Sequence, residues 1–393
     1  MTLIRLTETG PGVTVGLADE QVRLLAASGV VDIAPGPAAR QWRLRGRGTV
    51  GAARIGDVEL RVEPKVPVAR LLFLLGYARD PRFWRDEPVL LAAEAELVPA
   101  FAGALRRQMS RALAAGVLHG YRSVDEASPV LRGRLRETDQ IGRHLGQPMP
   151  LEIRHDEFTV DIAENRILAT AAYRMLRVPG IDDQSRRILR HLLGNLTGVT
   201  LLAPGASPPA WVPSRLNARY HTAVRLAELV LAATSVEVTV GEVAANGLLI
   251  DMPSLFEDFL TTAVRDSVAR RHGGMIRGQH QLWLDRAGRH RMAVDIAWVA
   301  GGRVKAVIDA KYKTYKPIDD LYQMLAYCTV LGLPHGHLVY AAGIPETHQL
   351  RNSEVELTCH AIDLDLTPNV LLNQVDRLVD EIVTTGISTV RVA

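Results

Sequence analysis

One stretch, Met292 to Tyr327, constrains the fold more than any other part of this 393-residue sequence. It contains two runs of β-forming residues, Met292–Val299 and Val304–Lys311, on either side of the pair Gly301-Gly302. Two short β-type runs around a glycine pair are typical of a hairpin. The sequence therefore predicts two antiparallel strands at this point.

Charged residues interrupt both of these apolar runs. Asp295 lies within the first run, and the second run ends in Asp309-Ala310-Lys311. Side chains two apart on a strand point to the same face, so Asp309 and Lys311 should lie together. Burying such charges is costly unless they have a partner or a purpose. A salt-bridged hairpin edge is the simpler alternative, since Asp-x-Lys triplets are common by chance.

The length of the hairpin loop decides whether the two aspartates meet. If Gly301 and Gly302 alone form the loop, Ala300 pairs with Arg303 and Asp295 faces away from Asp309. A three-residue loop that includes Arg303, or a β-bulge, brings Asp295 opposite Asp309 instead. The sequence leaves these arrangements open.

Two carboxylates and a lysine at one point suit a hard divalent cation. We expect Asp295 and Asp309 to hold Mg²⁺, with Mn²⁺ as a substitute, and we include Ala310 in the predicted metal set. The metal would lower the pKa of a bound water and offset charge on an attacked phosphorus. Lys311 would orient that water or neutralise the transition state.

A helix is predicted immediately after these residues. Acidic residues at its start, Asp319 and Asp320, and the sequence Gly332-Leu333-Pro334 at its end are typical of helix boundaries. Gln323 and Tyr327 are four residues apart and therefore share one face of this helix.

Together these residues carry a resemblance to a known family. Asp295, Asp309-x-Lys311 and Gln323-x-x-x-Tyr327 resemble the PD-(D/E)xK nuclease core, in the branch with a Q-x-x-x-Y helix found in RecB-like nucleases. The segment DAKYK, which begins at Asp309, is similar to the McrC family, the nuclease subunits of modification-dependent restriction systems. Val294 stands where the family usually has proline.

The resemblance implies roles for individual residues. Asp295, Asp309, Lys311, Gln323 and Tyr327 would be catalytic. An acid on the first helix of such nucleases often assists the metal, and the candidate in this sequence is Glu257; an ordinary exposed helix acid is the alternative. Contacts to DNA are expected from a set of four residues: Lys313, Lys316, Gln323 and Tyr327.

A second group of segments also resembles the McrC family. There, an LRGR segment, a DEFT segment and an ENRIL helix follow one another, and they occur in this sequence as Leu131–Arg134, Asp156–Thr159 and Glu164–Leu168. Glu164 and Asn165 could be catalytic, but helix capping and packing between domains are favoured.

The order of predicted elements indicates an α/β protein, α+β overall, with three parts. We expect a β-rich domain at residues 1–67, which by the resemblance would be a partner-docking domain, and a mainly helical middle region at 68–240. Residues 241–393 are expected to form a restriction-endonuclease-like core with helix, three strands, helix and strand. Its first strand is predicted at His280–Leu284. The range Gly120–Pro150 is predicted to be an arginine-containing loop, which either contacts phosphates or is a solvated surface balanced by acids.

Several other features limit the function. Gly46–Gly51 matches G-x-G-x-x-G, but a β-run follows it instead of a helix, so a tight β-turn is favoured over a dinucleotide site. Cys328 and Cys359 are not clustered, which fits a cytosolic protein. The first residues lack a basic segment followed by an apolar core, so no signal peptide is expected, and no uncharged apolar run approaches the ~20 residues of a membrane helix. The formal charge is only +3.

The sequence contains no G-x-x-x-x-G-K-[ST] motif, so the chain should not hydrolyse nucleotides itself. The resemblance implies a partner, an McrB-like AAA+ GTPase hexamer that reads modified cytosine and translocates DNA. The first hypothesis is therefore a Mg²⁺-dependent DNA endonuclease subunit of a modification-dependent restriction complex. The alternatives are a stand-alone RecB-like repair nuclease and a non-catalytic adaptor of an AAA+ partner. Removing residues up to Pro67 is expected to leave the metal site folded.

Overall fold

The computed structural model describes residues 2–86, 96–234, 246–313 and 317–388. Helices and several β-sheets are both present, as the predicted mixed α/β class requires. The chain forms two compact units. The first unit consists of Met1–Ile4, Ala52–Leu60 and Val98–Leu249, and the second consists of Arg5–Gly51, Arg61–Leu97 and Ile250–Ala393.

These units combine segments from different parts of the predicted three-part division. Most of residues 1–67 belong to the same unit as the C-terminal region. The predicted boundary near residue 240 lies in the range 235–245, outside the described residues. The division into 1–67, 68–240 and 241–393 therefore stays a prediction.

The N-terminal part is rich in strands, as expected. Its elements are β1 (Thr2–Thr7), β2 (Val13–Gly16), α1 (Asp19–Ala27), β3 (Val31–Pro35), β4 (Gln41–Gly46), β5 (Thr49–Ile55) and β6 (Val58–Glu63). Strands β4 and β5 are joined at Gly48, whose φ of 81° requires the freedom of glycine. The G-x-G-x-x-G segment is thus a turn between strands, as predicted.

The middle part alternates helices with a small sheet. Its elements are α2 (Val68–Arg79), α3 (Pro81–Asp86), α4 (Leu97–Leu113), β7 (Gly120–Ser128), β8 (Arg134–Leu135), α5 (Glu137–Arg143), β9 (Leu151–Thr159), α6 (Ala163–Met175), α7 (Asp183–Asn195) and α8 (His221–Thr234). A 3₁₀ turn at Ala218–Tyr220 precedes α8.

The prediction of a loop at Gly120–Pro150 is wrong. Strands β7 and β8 lie there and form a three-stranded sheet with β9, in the order β7-β9-β8. Charged residues on these strands pair across the sheet: Asp125 lies opposite Arg154, and their side chains approach to 2.6 Å. Arg132 similarly contacts Glu126 at 2.6 Å. The arginines are therefore balanced by acids. The strands are built from polar residues, and this composition is typical of a loop when only the sequence is considered.

The C-terminal part has the predicted order of helix, three strands, helix and strand. Its elements are β10 (Asn246–Asp251), α9 (Met252–Arg271), β11 (Met275–Trp283), β12 (Arg291–Ala300), β13 (Arg303–Lys311), α10 (Pro317–Leu331), β14 (His335–Tyr340), β15 (Glu346–Gln349), β16 (Glu356–Ala361) and α11 (Pro368–Ser388). The first strand of the three begins at Met275, five residues before the predicted start at His280. Helix α9 begins where the Asp251 side chain accepts the backbone N–H of Ser254 at 3.1 Å.

Six strands form the central sheet of this part, in the order β11-β12-β13-β14-β16-β15. Strands β13, β14 and β16 run parallel to one another, whereas β11, β12 and β13 are antiparallel. Helix α10 buries Met324 and Cys328 against Val307 and Leu338 of the sheet. The remaining strands form two smaller sheets, β1-β6-β5-β10 and β2-β4-β3. Within the described residues, no helix has the length and apolar character required to span a membrane.

Candidate active site

The hairpin of β12 and β13 places the two predicted aspartates opposite each other. Gly301 and Gly302 form a tight two-residue turn with φ values of 58° and 75°, and Ala300 pairs with Arg303. The register then shifts by one residue, so that Trp298 pairs with Ala306.

The shift is a β-bulge at Lys305, and the shifted register continues as far as the pair Ile296 and Ile308. The next residues in this register are Asp295 and Asp309. The bulge, which the sequence left as one of the open arrangements, therefore brings the carboxylates together despite the tight turn.

Asp295 is fixed by the backbone of the neighbouring strand. Its Oδ2 accepts the backbone N–H of Ala310 at 2.8 Å. Asp295 lies one residue beyond Ile296, which forms the last β12–β13 pair with Ile308. The Asp295 carboxylate thus takes the place of a strand carbonyl and is held beside Asp309.

Asp309 is the most deeply buried acid of the site, with 1% of its surface exposed. Burial and the nearby charge of Asp295 raise the pKa of Asp309 to about 7, and Lys311 opposes that shift. The ammonium of Lys311 forms an ion pair with Asp309 Oδ2. The two carboxylates and the lysine are therefore in direct electrostatic contact.

Lys311 remains a cation although it is largely buried. Burial alone would lower its pKa, but Asp309 and other nearby acids outweigh burial and raise the pKa of Lys311. Its Nζ also donates a hydrogen bond to Gln323 Oε1 at 3.0 Å.

The Q-x-x-x-Y residues of α10 form a hydrogen-bond chain that ends at Lys311. The Tyr327 hydroxyl donates to the carbonyl of Ala293 at 2.6 Å, and Gln323 Nε2 donates to the Tyr327 oxygen at 2.7 Å. Tyr327 is only 2% exposed, and burial is the main cause that raises its pKa to about 12. These contacts favour a role in positioning Lys311 over the predicted DNA contact of Tyr327.

The predicted helix acid, Glu257, reaches the site through a residue that the sequence did not indicate. Gln279 of β11 donates from Nε2 to Glu257 Oε1 and to Asp295 Oδ1, the latter at 3.2 Å. Burial raises the pKa of Glu257; the hydrogen bond from Gln279 opposes the shift, and Asp295 adds to it. The unusual φ of 47° at Gln279 leaves no recognisable signal in the sequence.

One of the two lysines predicted to contact DNA, Lys313, forms an ion pair with a buried acid. Lys313 Nζ lies 2.8 Å from the buried Asp320 Oδ1, and Asp320 Oδ2 accepts the Tyr340 hydroxyl at 2.8 Å. Asp320, predicted only as a helix-start residue, thus anchors the segment after Lys311. Lys316 lies outside the described residues.

The acidic side chains of the site are few for a metal centre. In the ranges that the structure describes, no three His, Cys, Asp or Glu side chains are grouped to hold a metal by themselves. Mg²⁺ needs only one or two carboxylates, because it keeps several waters. Among the described atoms, buried Asp309 Oδ2 accepts no well-formed hydrogen bond, although Lys311 contacts it. Asp295 and Asp309 therefore fit a hydrated Mg²⁺.

The segment after Lys311 also contacts the N-terminal β-rich region. Lys65 Nζ lies 4.3 Å from the centre of the Tyr312 ring. Burial and the carboxylate of Glu8 raise the pKa of the Tyr312 hydroxyl, and Glu8 Oε2 accepts the backbone N–H of Lys65 at 3.1 Å. Removing residues up to Pro67 would expose Tyr312 beside the site. These contacts argue against the expectation that the deletion leaves the site folded, which stays a prediction.

Glu164 and Asn165 lie in the other compact unit, where their contacts are structural. Asn165 is fully buried and donates to the carbonyls of Leu118 and Val160 at 2.8 and 2.7 Å. Glu164 accepts a hydrogen bond from Asn217 at 2.8 Å. All of these contacts lie within one unit, so the two residues pack, as favoured from the sequence, but within that unit and not between domains.

The fold and the site together define an α/β protein with two aspartates, of which Asp309 is buried, and a lysine on one hairpin. A family model described as "McrBC 5-methylcytosine restriction system component" matches residues 44–341. That match covers well over half of the chain, so the chain belongs to this family. No curated protein sequence matches the chain.

Two solved structures are similar to the chain. One is described as "Refined half-complex from tetradecameric assembly of Thermococcus gammatolerans McrB AAA+ hexamers with bound McrC", with 17% identity and a TM-score of 0.59, covering 97% of this chain and 100% of the other. The second, "Cryo-EM structure of the Thermococcus gammatolerans McrBC complex", has 19% identity and a TM-score of 0.39 over 68% and 88% of the two chains. At such identities, the first of these shows that the fold is shared.

Proposed function

We propose that this chain is the Mg²⁺-dependent DNA endonuclease subunit of a modification-dependent restriction complex. The observation that carries the proposal is the meeting of Asp295 and Asp309 across the bulged hairpin, with Lys311 in contact with Asp309. A structural salt bridge would need only one acid for one lysine. A second carboxylate beside a buried first one raises the local negative charge, which favours binding of a divalent cation.

The residues divide the work of phosphodiester hydrolysis. A bound Mg²⁺ would supply a water of lowered pKa and a positive charge next to the attacked phosphate. Asp295 and Asp309 would hold that ion, and Ala310 fixes Asp295 through its N–H. Lys311 would stabilise charge that develops on the phosphate oxygens. Gln323 and Tyr327 hold the Lys311 ammonium in position through hydrogen bonds.

We further propose that the chain works with a separate AAA+ GTPase. The sequence lacks a phosphate-binding loop motif, and the similar structure is described as McrC bound to McrB AAA+ hexamers. Recognition of modified cytosine would then belong to the partner, and the complex would act on DNA in the cytoplasm. Such a chain, when isolated, should cut DNA poorly and without regard to methylation.

The test is cleavage of methylated and unmethylated plasmid DNA by the purified chain, with and without a separate McrB-type AAA+ GTPase. We expect efficient cutting only with the partner, GTP, methylated DNA and Mg²⁺, and none when EDTA replaces Mg²⁺. Methylation-specific cutting by the chain alone would indicate a self-sufficient nuclease. Stimulation of GTP hydrolysis without any cutting would indicate an adaptor.

A further inference from the structure

Gln279 has a backbone conformation that is unusual for its place in the fold. Three non-glycine residues in the described ranges have positive φ, and two of them, Arg40 and Asn352, lie in turns. Gln279 instead lies inside β11, between the paired positions Gly278 and His280, with φ of 47°. Residues held in this region persist where their surroundings over-determine them, and they are frequent at functional sites.

The side chain of Gln279 connects two acids from different elements. Its Nε2 donates both to Glu257 of α9 and to Asp295 of β12. A primary amide has two N–H donors, so one nitrogen can serve both carboxylates. Because Ala310 donates to the second oxygen of Asp295, both oxygens of that carboxylate have a donor in the protein.

The chemistry of the side chain explains why an amide suits this position. A glutamate here would add a third negative charge to Glu257 and Asp295. A lysine would place a fixed positive charge where a cation must approach. A neutral amide donates two hydrogen bonds and leaves the charge of the carboxylates unchanged for a metal ion.

We infer that Gln279 is a positioning residue that sets the spacing of Glu257 and Asp295 for metal binding. The inference rests on the proposed metal-dependent function and adds a residue to it. The strained backbone of β11 directs the amide between the two acids, where it holds them in place before the metal arrives. Residues that orient metal ligands typically contribute about 10- to 100-fold to metal affinity.

The experiment is calorimetric titration of the full chain with Mn²⁺ and Mg²⁺ in the absence of DNA. Gln279→Ala and Gln279→Gly both remove the amide, but glycine accepts the positive φ without strain. We expect both variants to bind metal about 10- to 100-fold more weakly than the wild type, with Gln279→Gly melting at a higher temperature than Gln279→Ala. The matched control is Gln281→Ala, an exposed glutamine two residues along the same strand, which should bind as the wild type does.

Two outcomes would overturn the inference, and they can be told apart. In the first outcome, Gln279→Gly binds metal as tightly as the wild type while Asp309→Asn does not bind metal. The amide of Gln279 would then have only a structural role in the strand, and the proposed function would stand. If the wild-type chain itself binds neither ion, the proposed metal site fails together with the inference.

Discussion

Two polar clusters, each with one buried member, lie on opposite faces of the central sheet. Asp309 of β13 is in register with Leu338 of β14, whereas His337 is in register with Ile308. Neighbours in register share a face and successive residues alternate, so Asp309 and His337 point in opposite directions. One face therefore carries the aspartates with Lys311, and the other carries His337 next to His360.

Burial favours the neutral form of the titratable groups in both clusters, but only the first cluster also contains a cation. On the first face, burial and Asp295 raise the pKa of Asp309, but Lys311 remains beside it as a cation. On the second face, His337 Nδ1 lies 3.2 Å from His360 Nε2. Burial lowers the pKa of His337 to about 3 and that of His360 to about 4. The histidines are therefore neutral near pH 7, while the first cluster keeps charges of both signs.

This difference favours the aspartate face as the site of chemistry. A neutral buried pair needs only internal hydrogen bonds and can be purely structural. Charged groups that crowd one another are costly for folding and are characteristic of functional sites.

The largest expected effect is that of Asp309→Asn. The amide keeps the size of the side chain but cannot supply the same anionic ligand, so DNA cleavage by the complex should fall by about 10³-fold or more. Stimulation of the partner's GTPase should persist and serves as the folding control. Cleavage close to the wild-type rate would remove Asp309 from the site.

Lys311→Met should reduce the rate of cleavage by about 10²–10³-fold, which is the usual value of one electrostatic contact to a transition state. Metal affinity should remain near that of the wild type, because the ammonium does not bind the cation. Single-turnover cleavage and calorimetry measure the two quantities separately. A variant with weak metal binding and normal turnover would contradict this role of Lys311.

The histidine face should control acid stability. The folded-state pKa of His337 lies below its value in the unfolded chain, so its contribution to stability is complete above about pH 6.5 and is lost as pH falls toward 3. Each pKa unit of difference between the folded and the unfolded chain corresponds to about 1.36 kcal/mol of stability, so the loss amounts to several kcal/mol. Urea unfolding of His337→Leu should therefore depend less on pH in this range. His290→Leu, at an exposed histidine, should keep the wild-type slope.

The smallest effect is expected from Tyr327→Phe. Loss of the hydroxyl leaves the Ala293 carbonyl without its donor and frees Gln323 from its support. Cleavage should fall by about 10-fold, roughly the value of one net hydrogen bond, while metal affinity stays the same. Tyr322→Phe, at an exposed tyrosine on the same helix, is the matched control. Equal activity of both variants would show that the hydrogen-bond chain does not position Lys311.

The sequence predicted most of the elements around the site, because hairpin and helix boundaries depend on local residues. Gly301-Gly302 indicated the turn, and the spacing of Gln323 and Tyr327 indicated a shared helix face. The bulge at Lys305 could not be selected from the sequence, since one extra residue in a strand changes neither its composition nor its alternation enough to be recognised.

Other parts of the site depend on contacts between distant segments. Gln279 gave no signal, because a glutamine in a strand is ordinary until its φ and its neighbours are known. The packing of Glu8 and Lys65 near Tyr312 joins residues about 250 to 300 positions apart in the chain. Local patterns cannot encode such proximity, and for that reason the N-terminal region was predicted to be separable.

Asp309 is protonated more readily than an ordinary aspartate, and a metal ion that binds its carboxylate should displace this proton into the solvent. Without metal, a folded-state pKa of about 7 lies above the unfolded value, so this residue stabilises the fold at low pH and ceases to do so as pH rises from about 4 to 7. Metal and proton should therefore compete for the carboxylate.

Calorimetric titration with Mg²⁺ in buffers of different ionisation enthalpy measures this competition directly. We predict release of about one proton per bound ion at pH 6, a value that falls toward zero above pH 8, and no such release in Asp309→Asn. Metal binding with no release of protons at pH 6, or with the same release in Asp309→Asn, would contradict the account.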